Sequence, residues 1–166
     1  VKGYTDNFDA GTTLTGGTGT DSLVIYQKNG TALVDGDITG FENVTLTDTA
    51  GDNTGDITLT MTSYATAATI DASALDTGED DVLNLDGATK ALTIKGGDGV
   101  STITGGTKGD TITGNAGADI INANAGLDNI SGGAGNDSIT ADTEAEFLTT
   151  LGTDTVDGGL GTDTLT

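Results

Sequence analysis

The sequence predicts an all-β solenoid with two short strands per coil, and three observations carry that prediction. Residues 96 to 140 form five consecutive nine-residue units, GGDGVSTIT, GGTKGDTIT, GNAGADIIN, ANAGLDNIS and GGAGNDSIT. Upstream, Val44-Thr45-Leu46, Ala68-Thr69-Ile70 and Leu92-Thr93-Ile94 recur 24 residues apart (68 − 44 and 92 − 68). The 166-residue chain contains no proline, so nothing in it interrupts a backbone ladder. Each nonapeptide has a Gly-rich turn, a sixth position that is acidic in four of the five, and a large aliphatic residue at the eighth: Ile103, Ile112, Ile121, Ile130 and Ile139. One such unit can bury its apolar side chain only against its neighbours, which makes the array a stack.

Taken in order, residues 1 to 15 are Gly/Thr/Asp-rich with isolated Tyr4, Phe8 and Leu14, and read as an incomplete first coil. Gly16 to Val24, GGTGTDSLV, is a complete nonapeptide with Asp21 at the acidic position and Leu23 at the apolar one. It stands alone, and a cation there needs a neighbouring turn that the sequence does not plainly supply. From 22 to 95 the nine-residue phase is lost. Alternation predicts strands at Leu23–Tyr26, Ala32–Val34, Val44–Thr47, Ile57–Met61, Ala68–Asp71, Val82–Leu85 and Leu92–Lys95. The 24-residue recurrence, repeated by Leu59 and Leu83 and by Met61 and Leu85, predicts wide coils. In these Leu46, Ile70 and Ile94 point inward, and Thr45, Thr69 and Thr93 stack outward. From 96 the coil tightens to 18 residues, so alternate turns lie on opposite edges: 96–101, 114–119 and 132–137 on one, 105–110 and 123–128 on the other. Residues 141 to 151 are expected to bulge as an insertion before Gly152 and Asp154 resume the phase. GGLGTDTLT (158–166), with Asp163 and Leu165, returns to the first edge. The expected organisation is therefore a wide segment, 1–95, followed by a repeat segment, 96–166.

Composition narrows the chemistry. There is no Cys or His, so disulfides and zinc, copper, haem and iron–sulfur sites are poor candidates; carboxylate and backbone oxygen remain, the donors of hard cations. A formal charge of −21 with only five Lys and Arg argues against a nucleic-acid partner. A merely solvated acidic surface would accept Glu as readily as Asp. Yet 22 of the 26 acidic residues are Asp, many at one phase of the turn, as a tight turn with a short-armed ligand demands. No apolar run reaches the length of a membrane span. The first residue is Val, and no signal peptide is visible; the chain is expected to be an excised piece of a longer protein.

The nonapeptides resemble those of RTX proteins, whose GGxGxD turns bind calcium and whose following strands form a parallel, right-handed β-roll. The resemblance implies several Ca²⁺ ions, held by Asp carboxylates of two stacked turns and by carbonyls of the first four turn positions. On one edge it pairs Asp119 with Asp137 and Asp137 with Asp163; on the other, Asp110 with Asp128 and Asp128 with Asp154. The implied backbone donors are Gly105, Thr107, Gly114, Asn115, Ala116, Gly117, Asn124, Gly126, Gly132, Gly133, Ala134, Gly135, Gly159 and Gly161, with Asp21 as an outlying candidate. Three departures qualify it. Ser101 stands where Asp is expected, so the 96–101 turn lacks a carboxylate unless Asp98 contributes; Lys108 replaces a Gly; and Ala123 replaces the first Gly of its unit. Burying one Ile gains ~1.5–3 kcal/mol, whereas ordering nine residues costs ~1–2 kcal/mol each. The thin core therefore needs the ions.

The order GGTGTDSLV, Gly40-Phe41-Glu42, Ile70-Asp71-Ala72-Ser73 and LTIKGGDG (92–99) is similar to RTX-type surface-layer proteins of Gram-negative bacteria. That resemblance implies a secreted, structural protein exported by type I secretion to the cell surface. Its partners would be other copies of itself in a lattice and cell-surface polysaccharide bound through parts of the longer protein outside this chain. Two other classes stay open: the non-catalytic roll of a secreted RTX enzyme or toxin, and an adhesin or ice- or glycan-binding module using Thr58, Thr60, Thr62 and the Thr45/Thr69/Thr93 ladder. Catalysis is not expected, because there is no His, no G-x-S-x-G and no HExxH.

Overall fold

The computed structural model describes residues 2–4, 14–27, 31–33, 38–48, 56–61, 68–141 and 154–166. All of its strands pair in parallel, and they build a β-solenoid. One sheet, in spatial order, contains β1 (Lys2–Tyr4), β3 (Ser22–Gln27), β6 (Asn43–Asp48), β8 (Ala68–Ala74), β10 (Leu92–Lys95), β12 (Thr111–Ala116), β14 (Asn129–Ala134) and β16 (Thr155–Leu160). The facing sheet runs β4 (Thr31–Leu33), β7 (Ile57–Thr60), β9 (Asp81–Asn84), β11 (Ser101–Thr104), β13 (Ile120–Asn122), β15 (Ser138–Thr140) and β17 (Thr164–Leu165). A small third sheet pairs β2 (Leu14–Thr15) with β5 (Ile38–Thr39) in the wide coils. From β3 onward each coil gives one strand to each large sheet, and the predicted strands fall within a residue or a few of these elements. Phe8, Val34, Thr62, Gly152 and the predicted insertion beyond Ala141 lie outside the described residues.

The repeats stack in the predicted 18-residue register: Ile94 pairs with Ile112, Ile112 with Ile130, Ile103 with Ile121 and Ile121 with Ile139. Strand alternation sends these side chains inward, and Ile103, Ile112, Ile121, Ile130 and Ile139 are buried in a core one or two residues thick. Leu165, in the last described coil, is 63% exposed. Since each isoleucine touches mainly the rung above and the rung below, Ile112→Ala is expected to cost about 2–5 kcal/mol. A urea titration at saturating calcium reads this as a lower midpoint.

The wide coils are less regular than a fixed 24-residue period. That step holds for Leu92 on Ala68, Ile94 on Ile70 and Leu59 on Leu83. Below it, Asn43 pairs with Thr69 and Val44 with Ile70, a step of 26 (69 − 43), and a register shift falls between Thr45 and Thr47. Leu46 is buried as expected but does not stack on Ile70, and Thr45 lies beside Asp71 rather than Thr69. The Thr45/Thr69/Thr93 ladder is therefore replaced by two mixed rows, Asn43-Thr69-Thr93-Thr111 and Thr45-Asp71-Lys95-Thr113. The second row carries an ion pair, Lys95 Nζ to Asp71 Oδ2 at 3.3 Å. The physical reason is that a one-coil insertion is absorbed wherever a strand can bulge without turning its apolar face outward.

Candidate metal centre

The sixth residue of each nonapeptide closes its turn and opens the next strand, so the strand registers align these residues in columns along the two edges. On the first edge the column is Asp81, Ser101, Asp119, Asp137 and Asp163; on the second, Leu92, Asp110, Asp128 and Asp154. One bond recurs along both. The Oδ1 of each Asp of the nine-residue repeats accepts the backbone N–H of the column residue in the preceding coil: Ser101 N to Asp119 (2.8 Å), Asp119 N to Asp137 (2.8 Å), Asp137 N to Asp163 (3.0 Å). The second edge repeats it from Leu92 N to Asp110 (2.8 Å), Asp110 N to Asp128 (2.7 Å) and Asp128 N to Asp154 (2.9 Å). The pairs expected from the sequence are thus brought together, Asp119 with Asp137, Asp137 with Asp163, Asp110 with Asp128 and Asp128 with Asp154.

The other carboxylate oxygen turns back into its own Gly-rich turn. A Cβ at Gly114, Gly132 or Gly158 would collide with Oδ2 of Asp119, Asp137 or Asp163 respectively. Asp119 Oδ2, Asp137 Oδ2 and Asp154 Oδ2 are buried with no hydrogen-bond donor among the described residues. Asp110 differs: its Oδ2 accepts Gly106 N at 2.7 Å, so both of its oxygens already hold backbone donors.

The same turns crowd carbonyls together. Gly117, Gly133, Gly135, Gly159 and Gly161 all have positive φ and lie against backbone of the coil below, at Gly99, Asn115, Gly117, Gly133 and Gly135. Gly126 has positive φ against Lys108, whose side chain is exposed. Asn115 and Asn124 stand where other units have a second Gly; they take φ of 81° and 63°, which Asn tolerates better than other side chains. Their Nδ2 groups donate to Gly96 O (2.6 Å) and Gly105 O (2.9 Å), leaving each carbonyl a second lone pair. Thr107 rests on Ala88 O through both its N–H and its hydroxyl (3.1 Å each). Gly105 and Ala123 are buried side by side at the head of the second edge, so Ala123 replaces Gly without opening the turn. Ala116 and Ala134 pair in register in β12 and β14.

This is a buried electronegative seam. Burial pushes the Asp119 carboxyl up to about 7, against the Ser101 N–H that favours its charge, and the neighbouring Asp137 and Asp81 charges push in the same direction. Burial likewise raises Asp110, opposed by the Leu92 and Gly106 N–H groups. No three acidic side chains converge among the described residues. A cation here would draw on carboxylate and backbone carbonyl oxygens of stacked turns, an all-oxygen set that suits Ca²⁺ better than softer metals.

A family model, the RTX calcium-binding nonapeptide repeat, matches in four copies over residues 95–130, 123–143 and 149–165. The chain carries RTX repeats. No curated protein and no solved structure matches the chain. The orphaned oxygens of Asp119, Asp137 and Asp154 lie within these RTX repeats and fit the calcium that such repeats bind. When bound, the ion would supply positive charge beside the buried, donor-less oxygens of Asp119, Asp137 and Asp154. The chain's own residues set the spacing, because every Oδ1–N–H bond fixes one rung against the next.

Two residues outside the RTX repeats join the columns unannounced by the nine-residue phase. Glu42 Oε2 accepts Asp21 N at 2.8 Å, the column bond made by a longer arm across a 21-residue step. Gly40, with φ of 68°, packs over Gly16 and Gly17, so Gly40-Phe41-Glu42 is the neighbouring turn that Asp21 lacked in the sequence. Phe41 is fully buried, filling the wide coil as its size suggests. Asp81 is the second residue. The cue available in the sequence was LDTGEDD (75–81), an acidic Gly-containing turn ending one residue before a strand.

Proposed function

We propose that this chain is a structural, non-catalytic segment of a secreted bacterial surface-layer protein, a rod folded and stiffened by calcium at its turns. One observation supports this reading above the others: the aspartates of the RTX repeats are spent on holding coil to coil. Each has one oxygen on the preceding rung and, at Asp119, Asp137 and Asp154, the other buried without a protein donor. Such an arrangement rewards rigidity, not turnover. The outer faces do not favour an ice- or glycan-binding plane, since Asp71 and Lys95 stand beside the Thr69-Thr93-Thr111 row on one sheet, and Val82 and Ile120 interrupt the threonines of the other. Among the described residues no helix is long and apolar enough to cross a membrane.

Antibodies raised against this chain test the assignment. They are expected to decorate a regular array on the surface of the source cells, and the array should come apart when calcium is chelated. Labelling confined to a soluble secreted enzyme or toxin would overturn the surface-layer role while leaving the calcium-bound rod intact.

A further inference from the structure

The first RTX unit, GGDGVSTIT, has Ser101 where the others have Asp, which leaves its turn one carboxylate short. Asp98 does not make up the difference: its side chain is exposed, and its N–H is used on Leu75 O at 3.0 Å. The structure supplies a carboxylate from another direction. In the strand register Asp81 lies on Ser101, one wide coil earlier, and it is 1% exposed. Its Oδ2 reaches forward into the Ser101 turn and accepts Gly97 N at 2.9 Å. Gly97 is the second residue of its unit, as Gly106 is of the next, and Gly106 N is held by that unit's own Asp110 Oδ2 at 2.7 Å. Asp81 therefore does for the turn 96–101, from the coil below, what Asp110 does for the turn 105–110 from within.

The remaining polar atoms point the same way. Asp81 Oδ1 and Ser101 Oγ are both buried, and neither atom has a hydrogen-bond partner among the described residues. Ser101 Oγ sits against Gly96 as Asp119 Oδ2 sits against Gly114, so the hydroxyl occupies the place of the missing carboxylate oxygen. Asp119, next in the column, holds Ser101 N through Oδ1 and leaves Oδ2 buried without a donor. Around the turn, Gly99 packs on Glu79 O, and buried Glu79 closes the lower turn by accepting Asp76 N at 3.1 Å.

We propose that Asp81, which lies outside the residues matched by the family model, forms with Ser101 Oγ and backbone carbonyls of the turn 96–101 a further calcium site at the junction of the wide coils and the RTX repeats. The cation column thus begins one coil before the repeats do. This inference rests on the calcium reading of the repeats. Its function is to anchor the wide coils to the calcium-held roll.

The test counts calcium ions per chain by native mass spectrometry on the 166-residue protein, calcium-saturated and then freed of excess ion. Asp81→Asn keeps an acceptor for Gly97 N–H but removes the charge, and is expected to bind one ion fewer than wild type. The double variant D81N/S101D, which returns the carboxylate to the position the later units use, is expected to regain that ion. An unchanged count in D81N overturns the proposal, as does a double variant that stays one ion short, because Asp81 would then act only through its local hydrogen bond. Should D81N fail to fold, the double variant decides alone: a folded chain with the wild-type count supports the site, and anything less overturns it. Wild type binding no calcium at all would remove the underlying reading, an outcome distinct from each of these.

Discussion

Chelating calcium at pH 7.5 is expected to convert the chain from β-solenoid to disordered coil, seen as loss of the far-UV β signal and its return on adding calcium. Each site contributes about 2.7 kcal/mol at 100-fold excess of ion over its dissociation constant. Three sites contribute about 8 kcal/mol, comparable with the whole stability of a small domain, ~5–15 kcal/mol. Withdrawal also leaves the carboxylates of Asp81, Asp119 and Asp137 in one buried column on a chain of net charge −21. Acid is expected to replace part of the lost calcium. Asp119 has a folded-state value of about 7, above the ~3.9 of an unfolded Asp. Between those values the folded, calcium-free chain holds more protons than the unfolded one, so its stability rises as pH falls. The contribution is fully present below about 4 and is lost as pH rises through about 7. With chelator present, the β signal should therefore recover as pH is lowered from 8 to 5, whereas calcium affinity should weaken over the same range as protons compete for the carboxylates. A β signal indifferent to chelator throughout would contradict the calcium-held rod.

Gly135→Val is expected to be nearly as damaging. Gly135 has φ of 141°, and a Cβ there would overlap Gly117 O of the rung beneath, a backbone atom that cannot rotate away. Restoring contact distance means lifting the turn 132–137 off the turn 114–119. That breaks the Asp119 N to Asp137 Oδ1 bond and separates the two carboxylates a shared ion needs. The expected result is a rise of at least tenfold in the calcium concentration at the folding midpoint, read by circular dichroism. Gly17→Ala is the control. Gly17 also has positive φ, 103°, but open space where a Cβ would go, so the cost should stay near the ~1–2 kcal/mol of backbone strain. Equal effects at the two positions would mean that strain, not coil-to-coil contact, sets the sensitivity.

Much of the repeat segment was legible in advance because its information is local. A nonapeptide announces its own turn, its column residue and its inward isoleucine, so Asp119 on Asp137 and Ile112 on Ile130 follow from phase alone. The wide coils are different. Their steps of 20 to 27 residues are set by how turns and bulges absorb extra chain, and a three-residue echo such as Val44-Thr45-Leu46 fits a 24-residue period that the ladder does not keep. The expected threonine row lost Thr45 for that reason, although Thr69 still lies on Thr93, and Asp98, the acidic residue nearest Ser101 within its turn, is exposed while Asp81 reaches that turn from the coil below.

The amino-acid sequence by itself determined the stacking unit, the oxygen-only ligand chemistry and the assignment of the repeat aspartates to two edges, because each depends on residue type at a fixed short spacing. Tertiary structure decided which rungs of different length lie against one another. Glu42 joins Asp21, and Asp81 joins Ser101, only once parallel strands far apart in the chain are in register. The physical reason is that a backbone N–H donates to whichever acceptor meets its distance and direction, and a carboxylate contributed from another coil meets those conditions without leaving any periodic mark in the sequence.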